Sequence, residues 1–322
     1  MSTDYARGVL EARDRIGNLL HRTPVITSRL LDEACGCSVV LKCENLQRTG
    51  SFKARGATNA VSQLAETGAS SAVATHSSGN HGAALAWAAT QAGMAAHVVV
   101  PNTANANKKS AMRAYGATVH ECEPTMEARM ATLERVLGET GAEVVPPFDD
   151  DRIICGQGTA CLELLEQTTR EPLDTILVPV GGGGLLAGTL IAAQLADLPR
   201  SPRVIGVEPA LGDDMARSVR TGERMPSSNA PTVADGLRAG PGARNFSLVR
   251  ERVDSLLSVS EAQIIAAMRL VWTRCKLVIE PSSAVPLAAL LYSSDPELRR
   301  GRVGIIISGG NVDLDALPWS AR

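Results

Sequence analysis

Short runs of apolar, often β-branched residues recur along the chain at 38–43, 72–75, 96–100, 175–180, 203–207 and 304–307. In each run the apolar positions are continuous rather than alternating, the pattern of strands covered on both faces. Between them lie alanine- and leucine-rich stretches with helical spacing. Ile264, Ile265, Met268, Val271 and Trp272 share one face of such a helix, and Ser260 with Gln263 three residues on forms a capping box at its start. Strand and helix alternate almost throughout, which predicts an α/β fold: open, mostly parallel sheets with helices on both faces.

Residues 144–151 (Val-Val-Pro-Pro-Phe-Asp-Asp-Asp) read as a connection, and the strand–helix units before it suggest a small inserted domain. The expected division is 1–68 and 149–322 for a large domain and 69–148 for the small one. Residues 226–244, rich in Pro, Ser, Gly and Ala, read as a long ordered loop, which is more often functional than idle.

Composition narrows the class. With 322 residues, 44% hydrophobic and 20% charged, the chain has material for two cores. A net charge of -2 gives no reason to expect nucleic acid or a membrane surface as partner. No apolar run reaches the length of a membrane span and the Met1-Ser2-Thr3 start lacks a signal-peptide core, so a cytoplasmic protein is expected. The 7 cysteines contain no C-x-x-C pair and read as small buried hydrophobes.

Three segments carry candidate chemistry. The apolar run 175–180 leads into Gly181-Gly182-Gly183-Gly184-Leu185 and an apolar helix. Glycines let the backbone close on a ligand, and free N–H groups with the positive end of a helix favour a phosphate. The same run satisfies G-x-G-x-x-A, with Glu208 ending the next strand, so this segment alone leaves a dinucleotide site open. A second loop, Ser77-Ser78-Gly79-Asn80-His81, opens a helix expected over 83–92 and suits a carboxylate or a cofactor hydroxyl. Ser308 ends the run 304–307 before a glycine pair. In parallel sheets ligands lie outside the carboxyl ends of strands, where Ser77, Gly181 and Ser308 all fall. Lys53, on the glycine-bounded turn Thr49-Gly50-Ser51-Phe52-Lys53, is then a candidate for holding a cofactor aldehyde.

Taken together, Gly-Ser-Phe-Lys-x-Arg-Gly, Ser-Ser-Gly-Asn-His-Gly, the tetraglycine loop, Ile-Glu-Pro and Ser-Gly-Gly-Asn-Val-Asp resemble the motifs of the fold-type II pyridoxal phosphate enzymes. Within them the chain is most similar to the serine/threonine dehydratases and serine racemases. The resemblance implies the tryptophan synthase β-like fold and pyridoxal 5'-phosphate held by Lys53 as a Schiff base. It puts Phe52 beside the ring, Asn80 on the ring hydroxyl, Gly181, Gly182, Gly183, Gly184 and Leu185 around the phosphate, and Ser308 on the pyridine nitrogen. A neutral hydroxyl there cannot hold that nitrogen protonated, which moderates the electron sink and suits loss of a β-leaving group.

The implied activity is dehydration and deamination of L-serine or L-threonine to a 2-oxo acid and ammonia. Serine racemisation and 3-hydroxyaspartate dehydration are the alternatives, since Ser78 stands where racemases resemble this chain in having a serine. Ser77, Ser78, Asn80, His81 and Arg129 are the expected substrate contacts. Ala83 replaces the glutamine of nucleotide-regulated racemases, so ATP activation is not expected, and Ala239 replaces a usual serine. Glu208, Gly212 and Asp214 form an all-oxygen set for Mg²⁺, Mn²⁺ or Ca²⁺, where the resemblance also implies a metal. Asp213 otherwise reads as a cap for a helix over 215–221. A homodimer acting on a small amino acid completes the expectation.

Overall fold

The computed structural model describes residues 4–195 and 200–320; residues 1–3, which open the N-terminal stretch read above, lie outside them. Ten strands are described: β1 (Val25–Thr27), β2 (Ser38–Cys43), β3 (Ala72–His76), β4 (Ala95–Pro101), β5 (Ala117–Cys122), β6 (Glu143–Val144), β7 (Thr175–Pro179), β8 (Arg203–Pro209), β9 (Ser255–Val259) and β10 (Arg302–Ile307). They form a six-stranded sheet in the order β1-β2-β10-β7-β8-β9 and a four-stranded sheet in the order β5-β4-β3-β6. Every pairing is parallel except β1 with β2. All six predicted strands are present.

The large sheet is covered on both faces, which is why its central strands are apolar without alternation. One face packs Val40, Ile176, Val178 and Ile306 against helices Asp151–Gln167 and Gly184–Leu195. The other packs Leu41, Leu177, Ile205 and Ile305 against Glu261–Arg274 and Pro281–Tyr292. The predicted capping box is present, with Gln263 N–H donating to Ser260 Oγ and Ser260 N–H to Gln263 Oε1. Of the face read from the periodicity, Ile264, Met268 and Val271 are fully buried.

The small sheet has its own core, in which Val73, Ala96, Val98 and Val100 meet Ala84 and Leu85 of the Asn80–Gln91 helix. Ala57, Ala60, Val61 and Leu64 of the Lys53–Thr67 helix belong to that same core. The helix that begins at Lys53 therefore binds the small sheet to the large one.

A buried ion network anchors that helix start. Arg55, 1% exposed, donates from Nε and Nη2 to the Glu44 carboxylate at 2.7 and 2.8 Å. It also donates from Nη1 and Nη2 to Glu163, both at 2.8 Å. Lys42, fully buried, closes the network with a 2.7 Å contact to Glu163. Buried guanidinium groups are tolerated only with such full pairing. The consequence is that the residue two positions from Lys53 is fixed from several sides.

Candidate active site

The turn before Lys53 is unusual in its backbone. Thr49 and Gly50 both adopt positive φ, 59° and 74°, which an L-residue such as Thr49 tolerates only when its surroundings hold it. Asn311 does so by donating to the Thr49 carbonyl at 2.7 Å. The Phe52 N–H then donates to the Ser308 carbonyl at 2.9 Å, and Ser51 bridges to Gly309. Lys53 is thus tied to the carboxyl end of β10.

The Lys53 amine donates to the Pro147 carbonyl at 2.7 Å and lies 5.1 Å from the centre of the Phe52 ring. Burial pulls its pKa down to about 8, against the opposing charge of Glu280. At pH 7 about a tenth of such an amine is neutral and nucleophilic, far more than of an ordinary lysine. The next residue along from its partner, Phe148, covers the tetraglycine loop, because a Cβ on Gly182 would lie 2.4 Å from the Phe148 ring. Gly183 has φ +92°, and a Cβ there would meet Met215 at 2.6 Å. Both positions require glycine. The loop is pinned through Gly182, whose carbonyl accepts from the Asn245 side chain at 2.8 Å and from the Gly242 N–H at 3.1 Å. The N–H groups of Gly181, Gly182 and Gly183 donate to no acceptor among the described residues, and they precede the buried start of the Gly184–Leu195 helix. That is an anion cradle.

The Asn80–Gln91 helix starts three residues earlier than the periodicity suggested, with Asn80 as its first residue. Asn80 Nδ2 donates to both Glu280 oxygens at 3.0 and 3.1 Å, and its Oδ1 accepts from Asn311 at 3.0 Å. Ser77 N–H donates to Val99, leaving the Ser77 hydroxyl at the start of the turn, where it accepts from Gly79 N–H at 3.4 Å. The Ser78 hydroxyl makes no hydrogen bond with the described residues. His81 is only 2% exposed, and its Nε2 donates to the Val145 carbonyl at 3.0 Å. Burial, helped by the Lys53 charge, lowers its pKa to about 3, so it is a neutral wall residue rather than a proton carrier.

Ser308, 2% exposed, lies 3.0 Å from the hydroxyl of Ser283, which also donates to the Gly309 carbonyl. Arg129 lies beside the carboxyl ends of β3 and β5, where its charge reaches His76 and Cys122. Among the described residues its buried Nε has no partner and it forms no ion pair. A cavity of about 370 Å³ opens behind Asn80, bounded by Thr49, Lys108, Tyr115 and Asn311, but neither Lys53 nor the glycine loop lines it.

Glu208, 1% exposed, accepts from the N–H groups of Met215 and Ala216 at 2.9 and 2.8 Å. It, rather than Asp213, caps the Asp214–Thr221 helix; Asp213 makes no capping bond and pairs with Arg217 at 2.9 Å. Asp214, 4% exposed, accepts from the N–H of Ser228 at 3.0 Å and pairs with Arg217. Sequence reasoning passes over Ser283 and Asn245, and gives no role to Phe148 in the 144–151 connection or to Glu280 in its motif. All four act through contacts that no local pattern encodes.

A lysine amine of lowered pKa, a glycine loop with free N–H groups and a Ser51 hydroxyl that is buried without a partner fit a phosphorylated aldehyde in their chemistry. Residues 16–309 match the family described as pyridoxal-phosphate dependent enzymes, and the chain belongs to that family. It is 44% identical over 313 residues to the β-hydroxyaspartate dehydratase of Paracoccus denitrificans, covering 97% of this chain and 98% of that one. It is also 44% identical over 322 residues to the serine racemase of Dictyostelium discoideum, covering 98% of each. Among solved structures, a threonine deaminase from T.th. superposes with a TM-score of 0.89 at 42% identity, covering 95% of this chain and 98% of that one. The fold is accordingly that of the fold-type II enzymes. The dinucleotide alternative does not survive.

Proposed function

We propose that this enzyme removes water from a β-hydroxy amino acid, L-serine or L-threonine, and that the released enamine then takes up water to give a 2-oxo acid and ammonia. The observation that carries the reading is Lys53, an amine with its pKa pulled to about 8, whose partner Pro147 adjoins the Phe148 ring that covers the glycine cradle. Bound there, pyridoxal phosphate supplies an electron sink that acidifies the α-carbon of an amino acid. Gly181 to Gly184 and Leu185 would hold its phosphate through backbone N–H groups, Phe52 would pack beside the ring, Asn80 would orient the ring hydroxyl and Ser308 would face the ring nitrogen. Lys53 would take the α-proton, and the β-hydroxyl would leave as water with a proton supplied from the glycine-loop end of the site. Ser77, Asn80 and the turn around His81 receive the substrate carboxylate.

A second reading has its own support. Arg129 is a partly buried guanidinium without an ion-pair partner among the described residues, near the strand ends, which suits the second carboxylate of 3-hydroxyaspartate. The unengaged hydroxyl of Ser78 suits proton transfer on the face opposite Lys53, as racemisation requires. Steady-state rates with L-serine, L-threonine and 3-hydroxyaspartate, following both 2-oxo acid and D-amino acid, separate these readings. A 2-oxo acid from one of the three is expected; no turnover of any would overturn the proposal.

We also propose a divalent cation, Mg²⁺ or else Mn²⁺ or Ca²⁺, bound by Glu208, Asp214 and the Gly212 carbonyl. Among the described residues no group of three or more His, Cys, Asp or Glu is set to hold a metal ion, so the carbonyl and water must complete this shell. The support is electrostatic: burial, with repulsion from Asp213 and Asp214, pushes the Glu208 carboxyl up to about 8 despite two backbone hydrogen bonds. A cation relieves that repulsion. For organisation, we propose residues 69–148 as a small inserted domain, supported by the four-stranded sheet within it. We propose a homodimer, with Leu46 and Val278, 45% and 48% exposed, as apolar surface available for it. A cytoplasmic location is proposed as well; among the described residues no helix is long and apolar enough to cross a membrane.

A further inference from the structure

His97 on β4 and His120 on β5 project from the face of the small sheet that the Met126–Thr140 helix covers. Val99, two residues from His97, and Cys122, two residues from His120, pack beneath that helix with Leu133 and Val136, which fixes the face by strand alternation. Parallel pairing of the two strands sets Val99 opposite His120 and His97 opposite Thr118. The two imidazoles are thereby one step offset, with His97 Nδ1 3.1 Å from His120 Nε2 and ring centres 5.4 Å apart. Both rings are partly exposed.

Without a ligand, one proton in that gap gives an N–H···N hydrogen bond. The same geometry fits a metal ion: metal–imidazole bonds of about 2.0–2.1 Å meeting at an angle near 100° span about 3.1 Å. Each ring keeps its single proton on the outer nitrogen when the ion takes the inner one, so binding needs a change of tautomer and no net proton loss. Burial lowers both imidazole pKa values, with His97 and Arg135 adding to the effect on His120 and Glu139 opposing it. The pair therefore stays neutral and able to ligate at pH 7. The facing charges come from Arg135 and Glu139 of the covering helix, an exposed pair at 2.8 Å.

We propose that His97 and His120 form a two-nitrogen chelate for a transition-metal ion, Zn²⁺, Ni²⁺ or Cu²⁺, that clips β4 to β5. Imidazole pairs favour these ions, whereas Mg²⁺ and Ca²⁺ require oxygen. The site is independent of the catalytic proposal and chemically distinct from the carboxylate site at Glu208.

The test is calorimetric titration of untagged holoenzyme with NiCl₂, with Mg²⁺ in excess to occupy oxygen sites. Wild type should take up one equivalent, and its melting temperature should rise with Ni²⁺ concentration, because an ion that binds only the folded state stabilises it. His97→Gln and His120→Gln should each weaken binding by about tenfold or more, since either breaks the chelate. Both variants should abolish the Ni²⁺-dependent rise in melting temperature while keeping the cofactor absorbance of wild type, which separates loss of the site from loss of the fold. Equal Ni²⁺ affinity in wild type and both variants, or no Ni²⁺ binding by wild type, would overturn the proposal.

Discussion

The side-chain amide of Asn80 donates to both oxygens of Glu280, at 3.0 and 3.1 Å, joining the first residue of a small-sheet helix to a carboxylate 200 positions along the chain. Glu280 lies where it does because Pro281 begins the following helix, and proline suits that first helical position. Burial raises the Glu280 carboxyl to about 7, with the Asn80 bond working against the shift. Its charge in turn raises the Lys53 amine. Glu280→Gln keeps a side chain of the same shape but removes that charge, so the amine should titrate lower. The pH dependence of cofactor recapture by the apoenzyme measures this, and an unmoved profile would show that Glu280 does not act on Lys53.

The buried network around Arg55 makes a prediction about stability. Arg55→Ala leaves Glu44 and Glu163 without their guanidinium and should cost about 3–5 kcal/mol of unfolding free energy. Arg55→Lys restores the charge but not the fork of donors, and should fall between. Urea denaturation of holoenzyme reads both. A loss in Arg55→Ala within error of zero would remove this network as the anchor of the Lys53 turn.

Much of this was legible in the sequence, and the failures have physical causes. The six strands found from apolar runs are those covered on both faces. β5, with Thr118, His120 and Glu121, lies at the edge of the small sheet, and its mixed pattern carries no strand signal. β9 is the opposite kind of edge, half-exposed along the large sheet, and β1 and β6 have only 3 and 2 residues. In the site, Lys53 and the glycine loop sit in contiguous motifs. Ser283 and Asn245 do not: they reach Ser308 and Gly182 from helices 25 and 63 residues away. The alternative reading of Asp213 as a cap for a helix over 215–221 follows from adjacency, whereas the Met215 and Ala216 N–H groups of the Asp214–Thr221 helix donate back to Glu208 near the end of β8.

The carboxylate site predicts a signed pH effect. Glu208 has a folded pKa of about 8 against an ordinary value near 4.5, so the folded state holds its proton between these limits. Its contribution to stability in the metal-free protein is full at low pH and is lost as pH rises through about 8. The proposed cation would bind the ionised form. Added Mg²⁺ should therefore raise the melting temperature of EDTA-treated protein more at pH 8.5 than at pH 6, and Glu208→Ala should abolish the response. An equal response at both pH values would contradict the assignment.

Ser78→Ala distinguishes the two faces of the site. L-serine dehydration, which draws on Lys53, should change little, while turnover of D-serine and racemisation should fall by about 100-fold or more, the usual worth of a positioned acid or base. Parallel assays of pyruvate and D-serine supply the comparison. Equal losses in both would refute a division of labour between Lys53 and Ser78.

The central claim is that Lys53 holds the cofactor. Borohydride reduction of the purified protein, followed by peptide mass mapping, tests it most directly. The account predicts yellow protein that loses its colour on reduction, with one pyridoxyl phosphate group fixed on the peptide containing Lys53 and none fixed in Lys53→Ala. A label on another lysine, or an unlabelled chain from protein that carries bound cofactor, would contradict it.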